Sequence, residues 1–156
     1  MQLVEATEDD VDTIADYWYS LATEMERYSE LNTLVYEDAS AVPSDGFRRQ
    51  LADEAFTHLL VQTDATETVG FVSLREGRHP SREYSRCLQI VDLFVDEDHR
   101  NEGYGTETIE RVVERARERG CDHVEVSFEV GNEGARRLYD ETGFEAKQLV
   151  SVHTLE

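Results

Sequence analysis

Residues 91–106, VDLFVDEDHRNEGYGT, constrain this chain more than any other stretch. An apolar strand runs into an acidic turn, and after Arg100, Gly103 and Gly105 a long amphipathic helix begins. Two close-set glycines at a strand-to-helix junction leave room for a ligand beside the backbone. The first turn of a helix leaves several N–H groups unpaired at the positive end of its dipole. Together these features make a seat for phosphate oxygens. The remaining chain must supply a fold that holds this junction.

Residues 2–5 read as a short strand. Thr7 opens a helix with Asp10 as capping partner, and Val11, Ile14, Ala15, Trp18, Leu21, Ala22 and Met25 recur at helical spacing. Residues 30–43 keep no single period and read as a loop with one helical turn. Ser44 caps a second helix carrying Phe47, Leu51, Ala52 and Ala55. Strands follow over 57–63 and 68–76, joined by a tight turn, with Val69, Phe71 and Ser73 on one face. A polar loop, 77–85, leads to a long strand, 86–95. Its centre, LQIVDLFV, suits a strand buried on both faces, with Asp92 as the one charge inside it. The main helix covers 103–119, a further strand 122–130 and a short helix 132–141. Phe144 opens a last strand reaching about His153. The pattern predicts an α/β chain, a mixed sheet with helices on both faces, as one domain over residues 1–156.

Charge bounds the partners. The formal net charge is -20, from 35 acidic and 15 basic side chains, and Lys147 is the only lysine. Such a surface repels nucleic acid and anionic membranes. The acid excess spans the whole chain, which favours adaptation to high salt in a halophilic organism over a local site for cations. No apolar run approaches the length of a membrane span, and residues 1–10 lack the features of a signal peptide. Cys87 and Cys121 have no CxxC spacing and read as reduced thiols of a soluble cytoplasmic protein. With the histidines they show no finger-like zinc spacing, so no metal is expected.

The loop Arg100-Asn101-Glu102-Gly103-Tyr104-Gly105 is followed by Asn132, Ala135 and Tyr139 in NEGARRLYDETGF. An Arg-x-x-Gly-x-Gly loop between a strand and a helix, with Asn-x-x-Ala-x-x-x-Tyr at this distance and a closing Gly143-Phe144, resembles the GCN5-related N-acetyltransferases (GNAT). The likeness is sharp over about residues 88–145. A Rossmann site would need the full GxGxxG pattern and a P-loop Gly-Lys-Ser/Thr; both are absent.

The resemblance implies the GNAT fold, a mostly antiparallel mixed sheet whose strands four and five splay apart. It implies acetyl-coenzyme A as donor and direct transfer to a primary amine, on a small molecule or a peptide. A small-molecule acceptor is favoured because the 30–43 and 77–85 loops would cover the acceptor side and restrict a bulky protein chain. A non-catalytic acyl-coenzyme A sensor and a protein N-terminal or lysine acetyltransferase are the alternatives. Backbone groups of Asn101, Glu102, Gly103, Tyr104, Gly105 and Thr106, with Arg100, would hold the pyrophosphate. Leu93, Phe94 and Val95, with Asn132 and Ala135, would line the pantetheine arm. Tyr139 would touch the arm and act as general acid, and Asp92 as general base. Glu24, Tyr28, Glu125 and Glu129 are candidates for the acceptor side. No nucleic acid or membrane partner is expected; a homodimer is compatible with the resemblance.

Overall fold

The computed structural model describes residues 1–156. Strands β1 (Gln2–Glu5), β2 (Phe56–Gln62), β3 (Thr68–Arg78), β4 (Arg86–Val95) and β5 (His123–Val126) form one five-stranded sheet in that spatial order. The first three pairings are antiparallel and β4–β5 is parallel. A parallel pair needs a long crossover, which α3 (Tyr104–Glu118) supplies. Helices α1 (Val11–Met25) and α2 (Asp45–Ala52) precede β2, and α4 (Glu133–Glu141) follows β5. No helix is long and apolar enough to cross a membrane.

Side chains alternate between the two faces of a strand, and both faces are covered. On one, Leu59, Val72, Leu74, Leu88 and Ile90 pack with Ile109, Val112 and Ala116 of α3 and Tyr139 of α4. On the other, Leu60, Phe71 and Phe94 pack with Ile14 of α1, flanked by Tyr17, Trp18, Leu21 and Phe47. Ile14 and Phe71 are fully buried, each contributing ~1.5–3 kcal/mol of hydrophobic stabilisation.

Several element boundaries differ from the sequence expectation. Thr7 does receive Asp10, whose carboxylate accepts the Thr7 N–H at 2.8 Å. A 3-10 turn, Glu8–Asp10, nevertheless intervenes, and the α-helix begins at Val11. Ser44 does not cap α2, because its hydroxyl pairs with the Arg48 guanidinium instead; Ala55 lies beyond that helix. Residues 30–43 hold two 3-10 turns, Glu30–Asn32 and Ala39–Ala41, rather than one turn of helix.

The largest correction concerns the C-terminus. No strand forms after Phe144, and residues 145–156 are exposed throughout. Leu149, Val150, Val152 and Leu155 do not keep the strict alternation that would turn them all to one face. The edge strand they would join, β5, is only four residues long and ends at Val126 instead of reaching Val130.

His58 is an internal polar group whose environment sets a pH dependence. It is 3 % exposed. Its Nδ1 lies 2.5 Å from Ser73 Oγ and its Nε2 2.9 Å from Gln50 Oε1. Burial pushes its pKa down to about 4. An unfolded histidine therefore takes up a proton before the folded one does, and stability falls as pH drops from about 6.5 towards 4. The expected slope is ~1.4 kcal/mol per pH unit in that window. Denaturant unfolding of wild type and His58→Gln should show the difference between them shrinking with that slope on acidification; a constant difference would show that His58 is not held neutral.

Candidate active site

Strands β4 and β5 are paired only from Cys87–His123 to Ile90–Val126. At the next residue β4 bulges: Ser73 faces Asp92 and Leu74 faces Ile90, leaving Val91 without a partner on β3. A bulge bends its strand and increases the local twist. Beyond it, β4 continues to Val95 along β3 while its other backbone edge is unpaired. Pairing with β5 stops at Ile90, so the β4 edge along Asp92, Leu93, Phe94 and Val95 is left as an unpaired gap in the ladder.

The helix start lies at the end of that edge. Asn101 and Gly103 both have left-handed backbones, with φ of 63 and 89. No side chain caps α3, and the N–H groups from Asn101 to Thr106 find no hydrogen-bond acceptor in the chain. A Cβ placed on Gly103 would meet nothing within 4 Å, so the space beside it is open, and glycine is favoured there by its φ. Gly105 is different. Its missing Cβ admits Leu138 of α4, whose Cδ2 would lie 3.4 Å away. The second glycine therefore serves helix packing as well as access.

Arg100 is committed to the protein. Its Nε donates to the Val95 carbonyl at 2.8 Å, its Nη2 pairs with Glu24 at 2.7 Å, and its guanidinium lies 5.2 Å from the Phe94 ring centroid. Arg100 thus ties the loop to β4 and α1, and Glu24 is occupied as its partner. Glu102 faces His99 Nδ1 at 3.4 Å, and the Tyr104 ring packs edge-on against His99.

Asn132 is the N-cap of α4, its Oδ1 accepting the Ala135 N–H at 3.0 Å. The helix so started places Leu138 against the beginning of α3 and Tyr139 between Phe128 and Phe144, at centroid distances of 5.2 and 5.3 Å. The Tyr139 ring is buried at 6 % exposure. Its hydroxyl has no protein partner, yet the structure contains no orphaned buried side-chain oxygen, so the hydroxyl reaches open space. Burial pushes its pKa up to about 12, which keeps the proton on.

Asp92 is partly buried. Burial alone acts on its carboxyl, with no hydrogen bond or charge to offset it, and pushes the pKa up to about 6. Asp92 shares a face with Phe94, towards α1, whereas Leu93 packs in the layer that holds Tyr139. The Asp92 carboxyl and the Tyr139 side chain thus lie on opposite faces of the sheet.

The acceptor-side candidates separate into two groups. Tyr28 lies under the Arg27 guanidinium and beside Gly131, and Glu129 accepts the Asn32 Nδ2–H at 2.8 Å. These contacts join the 3-10 segment after α1 to the loop after β5. Glu125 lies elsewhere. It faces His79 and His123, each with Nε2 at 2.8 Å from Oε1, and Cys87 lies beside them. Sequence spacing did not bring these four together. The available signal was His123-x-Glu125, which projects both side chains from one face of a strand, with Cys87 in register on the neighbouring strand.

Residues 16–144 match the acetyltransferase (GNAT) family, and the chain belongs to it. Over 82 residues the chain is 38% identical to an uncharacterized N-acetyltransferase of Methanocaldococcus jannaschii, covering 53% of this chain and 36% of that protein. It is also 38% identical over 82 residues to an N-alpha-acetyltransferase of Arabidopsis thaliana, covering 52% and 42%. The matches thus span less than half the length of these relatives. A mutant protein from Bacillus halodurans shares the fold, with a TM-score of 0.87 at 20% identity over 99% of this chain and 100% of that one.

Proposed function

We propose that this chain transfers an acetyl group from acetyl-coenzyme A to a primary amine. The observation that carries the reading is the run of free N–H groups from Asn101 to Thr106 beside the unpaired edge of β4. Those groups suit the coenzyme's pyrophosphate, and the gap along Leu93, Phe94 and Val95 suits its pantetheine arm, to which Asn132 and Ala135 at the start of α4 would add contacts. Gly103 has the free space this requires. Bound acetyl-coenzyme A supplies an activated thioester. A β4 N–H facing the gap polarises the acetyl carbonyl. Asp92 takes a proton from the incoming ammonium, directly or through a water. As the C–N bond forms and the C–S bond breaks, Tyr139 gives its hydroxyl proton to the departing sulfur and recovers one from the new amide nitrogen, directly or through water.

The acceptor reads as a small molecule, because the 3-10 segment is tied across to the loop after β5 through Asn32 and Glu129 and walls that side. A free protein N-terminus is the second reading, motivated by the N-alpha-acetyltransferase relative. A non-catalytic acyl-coenzyme A sensor would bind the donor and transfer nothing. The test is coenzyme A release with a panel of small amines, N-terminal peptides and lysine peptides, with donor binding measured on the same samples. Tyr139→Phe keeps the packed ring and should bind the donor normally while turning over ~10²–10⁴-fold more slowly. For the wild type, turnover should rise with pH through about 6 as the Asp92 carboxylate forms, and Asp92→Asn should abolish that inflection. Donor binding without transfer to any amine would favour the sensor; a Phe variant as fast as wild type would remove Tyr139 from the chemistry.

The charge of -20 is assigned to salt adaptation in a soluble, cytoplasmic setting. Screening shortens the reach of repulsion from ~10 Å at 0.1 M salt to ~3 Å at 1 M. Melting temperature should climb steadily from dilute buffer to molar NaCl. A flat profile would assign the acidity to a cationic partner instead.

A further inference from the structure

Four side chains converge at the opening end of the β4–β5 ladder, before the bulge. Cys87 and His123 are register partners, and Glu125 stands one alternation beyond His123, opposite Gln89. Cys87, His123 and Glu125 therefore project from the same face. His79, the first residue after β3, folds over them, its ring stacked on that of His123 at 5.9 Å and 15°. The donor atoms of His79, Cys87, His123 and Glu125 all lie within 4.8 Å of one another. Cys87 Sγ is 3.8 Å from His79 Nε2. Ligand bonds of 2.0–2.3 Å at tetrahedral angles give ligand–ligand edges of ~3.3–3.7 Å, so small side-chain adjustments convert this cluster into a tetrahedron.

We propose that His79, Cys87, His123 and Glu125 form a structural zinc site. Two imidazoles, one thiolate and one carboxylate make a mixed set that suits Zn²⁺ and disfavours Mg²⁺ or Ca²⁺, which prefer oxygen alone. Four protein ligands leave no open position, which marks a structural rather than a catalytic ion. Thiolate and carboxylate together balance the charge of Zn²⁺, so a half-buried site becomes neutral. On binding, the Cys87 thiol releases its proton to solvent, and each Nε2 exchanges its hydrogen bond to Glu125 for a bond to the metal, its ring proton moving to Nδ1.

The surroundings hold the ligands in place. Gln89 donates from Nε2 to Glu125 Oε2 at 3.2 Å, and its Oε1 accepts from Arg75 at 2.9 and 2.8 Å. Such outer contacts orient a ligating carboxylate. Cys87 is 1 % exposed, and its backbone is fixed between Gly77 and His123. The ion would clamp the β3–β4 loop to β4 and β5 at the end of the ladder where the strands stay together. The proposal takes Glu125 out of the acceptor-side candidates and uses none of the other residues assigned to acetyl transfer.

The test uses the full chain without a histidine tag, stripped with chelator and titrated with Co²⁺, then Zn²⁺. One Co²⁺ per chain should bind, with the d–d bands of a tetrahedral ion and a near-ultraviolet thiolate charge-transfer band; Zn²⁺ should displace it and raise the melting temperature. Cys87→Ser should remove the charge-transfer band. Both Cys87→Ser and His123→Asn should weaken binding by ~10–100-fold or more. His153→Asn, in the exposed C-terminal segment, should behave as wild type. The proposal is overturned if the stripped chain, native by circular dichroism, takes up no Co²⁺, or takes it up in an octahedral form that Cys87→Ser leaves unchanged.

Discussion

The parting of β4 from β5 is the constraint on which the rest of the site depends. A continuous parallel ladder would consume the β4 backbone edge and leave nothing for a ligand. The extra residue at Val91 prevents that, since a bulge twists its strand away from a neighbour. The ladder survives only where Cys87, Leu88, Gln89 and Ile90 meet β5. The layer of α3 still covers Leu88 and Ile90 below the gap. The strand is anchored at one end and free along one edge at the other, which is the geometry an extended ligand needs to add itself as a substitute strand.

The charge distribution decides how a polyanion can be held. In a chain of net charge -20, an arginine near the binding loop is quickly claimed by a carboxylate, and Arg100 is claimed by Glu24. Arg115 and Arg119 are likewise paired, with Glu5 and Glu76. Backbone N–H groups cannot be neutralised in this way, and at a helix start they carry the positive end of the dipole. A phosphate at the proposed site would therefore be held best by main chain, with Arg100 fixing the shape of the loop. The left-handed backbones of Asn101 and Gly103 are what turn successive N–H groups outward.

How far the sequence could be read follows from the range of each interaction. The β4 strand, the loop and α3 were legible because apolar runs, glycines and helical spacing are local signals, and the Asn132 cap and Tyr139 lie on one short helix. The isolation of Asp92 depends on neighbours far away in the chain and was not legible. The same holds for His79, Cys87, His123 and Glu125, which are separated by up to 46 residues and meet only through strand register. The expected last strand does not form because a β-prone apolar segment needs a partner edge, and the short β5 offers little of one.

The state of Asp92 is a property of its row in the sheet as much as of its depth. His58, Ser73 and Asp92 stand side by side across β2, β3 and β4. Gln50 Oε1 can only accept, so His58 Nε2 carries the ring proton, and Nδ1 must accept from the Ser73 hydroxyl. Ser73 has one proton to give, and it is spent on His58. Asp92, next in the row, is left without the donor that would otherwise stabilise its charge, and burial then acts on it unopposed. A carboxylate in that condition costs stability when ionised. The same condition makes it a better proton acceptor than an ordinary surface acid, because its affinity for a proton lies closer to neutrality. The satisfied pair at the centre of the sheet thus leaves the unsatisfied group at the gap.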